Sequence, residues 1–169
     1  MGGASVKGSK PTGIEDRQLV ISRHFDVTRE LVFAAWTDPE HLPNWWGPRG
    51  FASRTKAVDL RPGGFWRYLM IGPDGTEYPN EIRYREITPP ERIAYRHGTG
   101  SDDDEHFDVT VVFEPEDGGT RLTFTMTFQT REQREEAVTH GAIEGANQTF
   151  GRLAAHLGVE SRDRKATTL

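Results

Sequence analysis

Apolar and polar positions alternate from Leu19 to Phe25, which predicts a strand. The pattern then changes period. Leu31, Val32, Ala35 and Trp36 recur at helical spacing behind Thr28, a suitable N-cap. Asp38-Pro39 reads as a second N-cap with proline at the first helical position, so a second short helix runs to about Trp45. Gly47-Pro48 stops it. From Phe51 to Phe128 the signals are strands separated by turns such as Pro73-Asp74-Gly75 and Glu116-Asp117-Gly118-Gly119. Leu122, Phe124, Met126 and Phe128 alternate with threonines, and Phe107, Val109, Val111 and Phe113 share one face of the strand before them. The intervening Gly-rich turn makes this pair antiparallel.

The last predicted element is one long helix. Thr130-Arg131-Glu132-Gln133 fits a capping box, and Gly158 stands where a C-terminal stop belongs. Val138, Ala142, Ala146, Phe150, Leu153 and Leu157 step by three or four along one face. Gly141 and Gly145 lie beside the small-residue half of that stripe. An interior glycine costs a helix about 1 kcal/mol relative to alanine, so something must offset it. Either the helix packs closely on the sheet there, or it leaves room for a ligand; spacing does not separate the two.

Composition narrows the class. The chain of 169 residues has the size of one ordinary domain. Residues 1–17 and 159–169 are poor in apolar side chains and are expected to be flexible tails around a single domain at 18–158. There is no cysteine, which removes disulfides, thiolate metal sites and cysteine nucleophiles. A net charge of −5 argues against nucleic acid as a partner. No apolar run reaches the length of a membrane span and no signal-peptide core is present, so the expectation is a cytoplasmic protein without membrane insertion.

The order strand, two short helices, six antiparallel strands, long helix is α+β. Within it stand His41-Leu42, Trp45-Trp46-Gly47-Pro48, Asp59-Leu60-Arg61-Pro62-Gly63-Gly64, Met70, Gly72-Pro73-Asp74-Gly75 and Glu86-Ile87-Thr88-Pro89-Pro90-Glu91-Arg92-Ile93. This string resembles the AHSA1-like branch (activator of Hsp90 ATPase homologue) of the START-like, or SRPBCC, superfamily, over about Val20 to Leu157. The resemblance implies a helix-grip fold, in which a curved antiparallel sheet wraps around the C-terminal helix and encloses a pocket for an apolar ligand. The chain departs from the branch pattern at three positions. A glycine is common where Ile82 stands, an aromatic at Asn80, and a tryptophan near Ala146. Apart from any family, Gly63-Gly64 suits a tight bend, Pro89-Pro90 a donor-free turn, and Trp45-Trp46 the closure of one mouth of a small core.

Catalytic signatures are missing from the sequence: there is no nucleophile elbow, H-E-x-x-H or P-loop. The acidic run Asp102–Glu105 before His106 reads as a solvated hairpin rather than a metal site, and no metal or other cofactor is expected. His41 reads as a packing or capping residue, His140 and Glu144 as a surface pair, and Asp59 with Arg67 as a structural ion pair. Strand parity nominates a pocket. Trp66, Tyr68 and Met70 share a face, as do Asn80, Ile82 and Tyr84 and then Ile93, Tyr95 and His97; Ala142, Ala146 and Phe150 face them from the helix. Tyr84, Tyr95 and His97 are the candidates for acid–base work. Three functions follow: a module binding a small hydrophobic ligand, a polyketide-cyclase-like enzyme using the same pocket, or an activator of an Hsp90-type ATPase. The first is preferred because no compelling acid–base pair is visible. A monomer and a homodimer are both compatible with the sequence.

Overall fold

The computed structural model describes residues 13–101 and 105–163. Residues 1–12, 102–104 and 164–169 lie outside it, and with them much of both expected tails and most of the acidic run. The strands are β1 (Gln18–Phe25), β2 (Ala52–Asp59), β3 (Phe65–Ile71), β4 (Glu77–Thr88), β5 (Arg92–Gly98), β6 (Phe107–Glu116), β7 (Gly119–Thr127) and β8 (Ser161–Asp163). All pair antiparallel in one curved sheet of order β2-β3-β4-β5-β6-β7-β1-β8. The helices are α1 (Arg29–Thr37), α2 (Leu42–Trp45), α3 (Arg131–Thr139) and α4 (Ala142–Leu157). This is the α+β helix-grip fold. No helix among the described residues is long and apolar enough to cross a membrane.

The β6–β7 hairpin follows the alternation read from sequence. Val109 faces Met126, Val111 faces Phe124 and Phe113 faces Leu122. Asp117 and Gly118 close it at φ +50° and +78°, the left-handed pair that a two-residue hairpin loop requires. β1 returns beside β7 and buries Leu19, Ile21 and Phe25. One apolar core then runs from α1 and α2 across the inner face of the sheet to Phe150 and Leu153 on α4. Phe150 packs edge-on against Phe124 with ring centroids 5.3 Å apart.

Several local expectations need correction. The long C-terminal helix is two helices, because Gly141 adopts φ +87° and ends the first one. His140 therefore sits in the break, its Nδ1 2.8 Å from the Glu136 carbonyl oxygen, rather than one turn before Glu144 on a continuous helix. The cap at Thr130 forms as expected, accepting from Gln133 N–H at 3.0 Å, but Gln133 reaches back to Gln129 N–H. On α1, Phe33 is buried and Leu31 is more than half exposed, so the buried face is 32, 33, 35 and 36. Thr28 caps α1 through its carbonyl only. Asp38 caps a turn, accepting from Glu40 N–H, and α2 begins only at Leu42.

Described residues from both expected tails join the fold. Ile14–Arg17 form a 3-10 turn, tied to Phe128 by a backbone hydrogen bond and by the Arg17 guanidinium. Ser161–Asp163 add a strand to the edge of β1. In both places backbone hydrogen bonds to existing elements order chain that has little apolar surface to bury. Asp59 pairs with Arg61 and Arg67 with Glu81, not with each other. The register explains this, since Asp59 lies opposite Phe65 while Arg67 lies opposite Glu81.

Candidate functional site

Inner-face residues of β3 to β7 point toward α4, and the volume between them is not filled. A cavity of about 190 Å3, open to solvent on one side, remains beneath the first three turns of α4. Its sheet side is Met70, Tyr95, His97, Phe107, Phe124 and Met126; its helix side is Ala142, Gly145, Ala146, Thr149 and Phe150. Trp36 and the Trp46-Gly47-Pro48 loop complete the wall. Among the described residues no three His, Cys, Asp or Glu side chains come together as a metal site.

The small residues of α4 make the cavity possible. A Cβ built on Gly145 meets nothing within 4 Å, so close helix–sheet packing is not what its missing side chain permits. It borders empty space. Gly145→Ala is therefore expected to stabilise the fold by about 0.5–1 kcal/mol through helix propensity, while weakening any ligand in the cavity a few-fold. Urea unfolding and a binding titration on the same variant check both halves, and a destabilised protein would contradict the first.

A polar network stands behind the wall. Trp46 Nε1–H donates to the Tyr68 hydroxyl at 2.8 Å, and that hydroxyl lies 3.2 Å from His97 Nε2. His97 Nε2 is also 2.9 Å from Asn80 Oδ1. The Asn80 amide donates to the Tyr78 carbonyl, so its oxygen faces the imidazole and Nε2 carries the proton. On α4 the Thr149 hydroxyl donates to the Gly145 carbonyl. Two cavity residues differ: the Tyr95 hydroxyl and the Trp36 indole N–H are buried with no hydrogen-bond partner. Such an orphan costs roughly 1–3 kcal/mol. Burial raises the pKa of Tyr68, Tyr84 and Tyr95 above that of an ordinary phenol, with neighbouring tyrosines adding to the rise at Tyr68 and Tyr95. These three phenols stay protonated and act as donors, not as bases.

The mouth is held by one guanidinium. Arg152 Nη1 on α4 donates to the carbonyls of Trp46, Gly47, Pro48 and Phe51 at 2.8–3.3 Å. Gln148 adds a contact to Arg49 N–H. Gly47 adopts φ +105°, which strains any other residue, and a Cβ there would also push Met70 Sδ aside. Nearby, His41 Nδ1 and His156 Nε2 are 2.8 Å apart and join the start of α2 to α4. Arg152→Met is expected to cost about 2 kcal/mol, because several carbonyls lose one charged donor together. A denaturation midpoint unchanged from wild type would contradict that role.

Six of the twelve sequence-nominated residues border the cavity: Met70, Tyr95, His97, Ala142, Ala146 and Phe150. The others do not. Trp66, Tyr68, Ile82, Tyr84 and Ile93 do face inward, but they lie in filled core, with Trp66 stacked on Tyr68 at 4.0 Å and edge-on to Trp46 at 5.3 Å. Asn80 stands behind His97. Parity identified the inner face without showing which stretch of it Trp46 would fill. Phe107, Phe124 and Met126 carry the same alternation but are not among the twelve. Trp36, Gly47, Pro48 and Thr149 gave no such signal. On the opposite face of the sheet a hollow of about 300 Å3 is lined by Glu81, Arg83, Arg96 and His106. It is a surface groove whose arginines already pair with Glu81 and Asp108.

The family model for "Activator of Hsp90 ATPase homolog 1-like protein" matches residues 26–158. The chain belongs to this family. Solved structures of similar proteins share the whole fold. A Mycobacterium smegmatis protein is 28% identical with a TM-score of 0.77, over 86% of this chain and 94% of its own. An Arthrobacter aurescens protein is also 28% identical, at a TM-score of 0.79, over 86% and 88%. The AHSA1 protein from Silicibacter pomeroyi is 27% identical, at a TM-score of 0.69, over 83% and 97%. No curated protein matches the chain.

Proposed function

We propose that this AHSA1-family protein is a cytoplasmic module that binds a small hydrophobic molecule between its sheet and α4. The observation that carries the reading is the unfilled cavity of about 190 Å3, walled by aromatic rings on one side and by alanine and glycine on the other. Keeping glycine in a helix where no side chain would clash makes sense if the space has a use. For scale, a dry apolar cavity of about 150 Å3 holds benzene, so this one suits a molecule of one or two rings.

Two features favour binding over the cyclase-like reading. The phenols nearest the cavity are held protonated, and His97 Nε2 carries a proton directed at Asn80 Oδ1 rather than a lone pair free to act as a base. No feature of the described residues speaks for the ATPase-activator reading. The test is an amide and indole NMR titration with indane. At roughly ten non-hydrogen atoms, affinity should lie between micromolar and millimolar. Saturable shifts centred on Trp36, Ala142 and Ala146 are expected. Weak, unsaturable shifts scattered over the surface would overturn the proposal.

A further inference from the structure

Two fastenings hold the Trp46-Gly47-Pro48 wall against α4, and they differ in chemistry. Arg152 binds the loop carbonyls, while His156, one turn further along the helix, meets His41. His41 stands at the N-terminal end of α2, a single turn that closes where Trp46 N–H donates to the Leu42 carbonyl at 3.2 Å. A movement of His41 therefore reaches Trp46, and with it the cavity. His41 Nδ1 and His156 Nε2 lie 2.8 Å apart. Between two imidazole nitrogens, one must carry the proton and the other must offer a lone pair. A proton on each turns the contact into a repulsion.

The surroundings assign the roles. Burial, and after it His41, hold the His156 imidazole below the ordinary histidine value, so His156 is the acceptor and His41 the donor. Asp38 Oδ2 is 3.8 Å from His41 Nε2, the nitrogen that faces away from His156. A second proton on His41 would meet Asp38 and leave the Nδ1–H donor in place. The other charged groups near this end of α4 are committed or exposed: Arg152 to carbonyls, Arg23 on β1 to Asn147 and Ser161, and Glu160 to solvent. The proton that breaks the contact is the one His156 takes up. We propose that the His41–His156 contact is a pH-released latch on the cavity: protonation of His156 frees α2 from α4, loosens the Trp46-Gly47-Pro48 wall and lowers affinity for the ligand. The inference rests on the binding role proposed above and adds its regulation. An unfolded histidine takes up its proton near pH 6.5, and the folded His156 resists it. The contact is therefore intact above about pH 6.5 and is lost as the pH falls below it. The Arg152 clamp remains, so the release is partial.

The experiment titrates indane into the wild-type protein and into His156→Gln, each at about pH 7.5 and about pH 5.5, on either side of the ordinary imidazole range. A glutamine amide oxygen reaches the same place, accepts from His41 and takes up no proton. Wild-type affinity should fall about fivefold on acidification, the worth of one hydrogen bond, while His156→Gln should bind equally at both. The variant is needed because His97 also belongs to the wall. A fall shared by His156→Gln would overturn the latch, and so would indane that binds wild type equally at both pH values. A second readout needs neither ligand nor variant. Imidazole nitrogen spectra follow the proton on His156 Nε2. Hydrogen exchange of the Trp46 indole, whose N–H donates to Tyr68, follows the wall when compared with free indole at the same pH. Protection should drop as His156 takes up its proton. A titration of His156 that leaves protection unchanged would overturn the latch. If indane binds at neither pH while protection still drops, the latch stands and the binding role falls.

Discussion

Ala146→Trp is expected to abolish ligand binding, by at least a hundredfold, in a protein that still folds. Ala146 faces the cavity from the second turn of α4, opposite the sheet residues that form the other wall. An indole added there occupies the space that a one- or two-ring ligand would use, since the cavity measures only about 190 Å3. Filling empty apolar volume commonly stabilises, so the melting temperature should hold or rise. The control is Ile143→Trp, three residues earlier on an exposed face of the same helix, which should leave affinity unchanged. Indane binding by both variants, read by the indole and amide shifts, decides the matter. Retained affinity in Ala146→Trp would move the ligand out of this cavity altogether.

The sequence carried the architecture well because two strong periodicities survive folding. Alternation on β6 and β7 dictated their register, and the helical stripe ending at Gly158 dictated which face of α4 meets the sheet. Boundaries that depend on one residue's backbone were harder. Gly141 was visible as a helix glycine, yet only its left-handed conformation turns a weak position into a break. The cavity was half legible for a different reason. Parity tells whether a side chain faces inward, but not whether another side chain already occupies the space in front of it. Trp46 comes from a loop, where no periodicity applies, and it sits against Trp66 and Tyr68. It thereby fills the stretch of the inner face in front of Trp66 and Tyr68. The open volume shifts toward β5–β7 and the start of α4, where Ala146 stands. The two orphan donors were beyond the reach of sequence, since being unpaired is a property of the finished packing.

Gly63 and Gly64 are adjacent, and alanine is expected to have very different consequences at the two positions. At Gly63 the backbone has φ +84°, and a Cβ meets nothing within 4 Å. Gly63→Ala should therefore cost only the left-handed penalty of about 1–2 kcal/mol. Gly64 needs no positive φ, but a Cβ there would fall on the Asp59 carbonyl oxygen and also crowd the Arg61 carbonyl at 3.0 Å. Both obstacles are backbone, so neither can swing aside. The same glycine donates to Arg61 and accepts from Tyr84 N–H at 3.0 Å, which fastens the start of β3 to β4. Relieving the clash would pull at those hydrogen bonds and at the buried Trp66–Tyr68 stack just beyond. The cost of Gly64→Ala should reach about 4 kcal/mol, at the high end for single substitutions and a large share of the 5–15 kcal/mol that stabilises a typical domain. Urea unfolding of the two variants side by side separates the causes. Equal losses would mean that conformational freedom, not the approach of Asp59, is what both glycines supply.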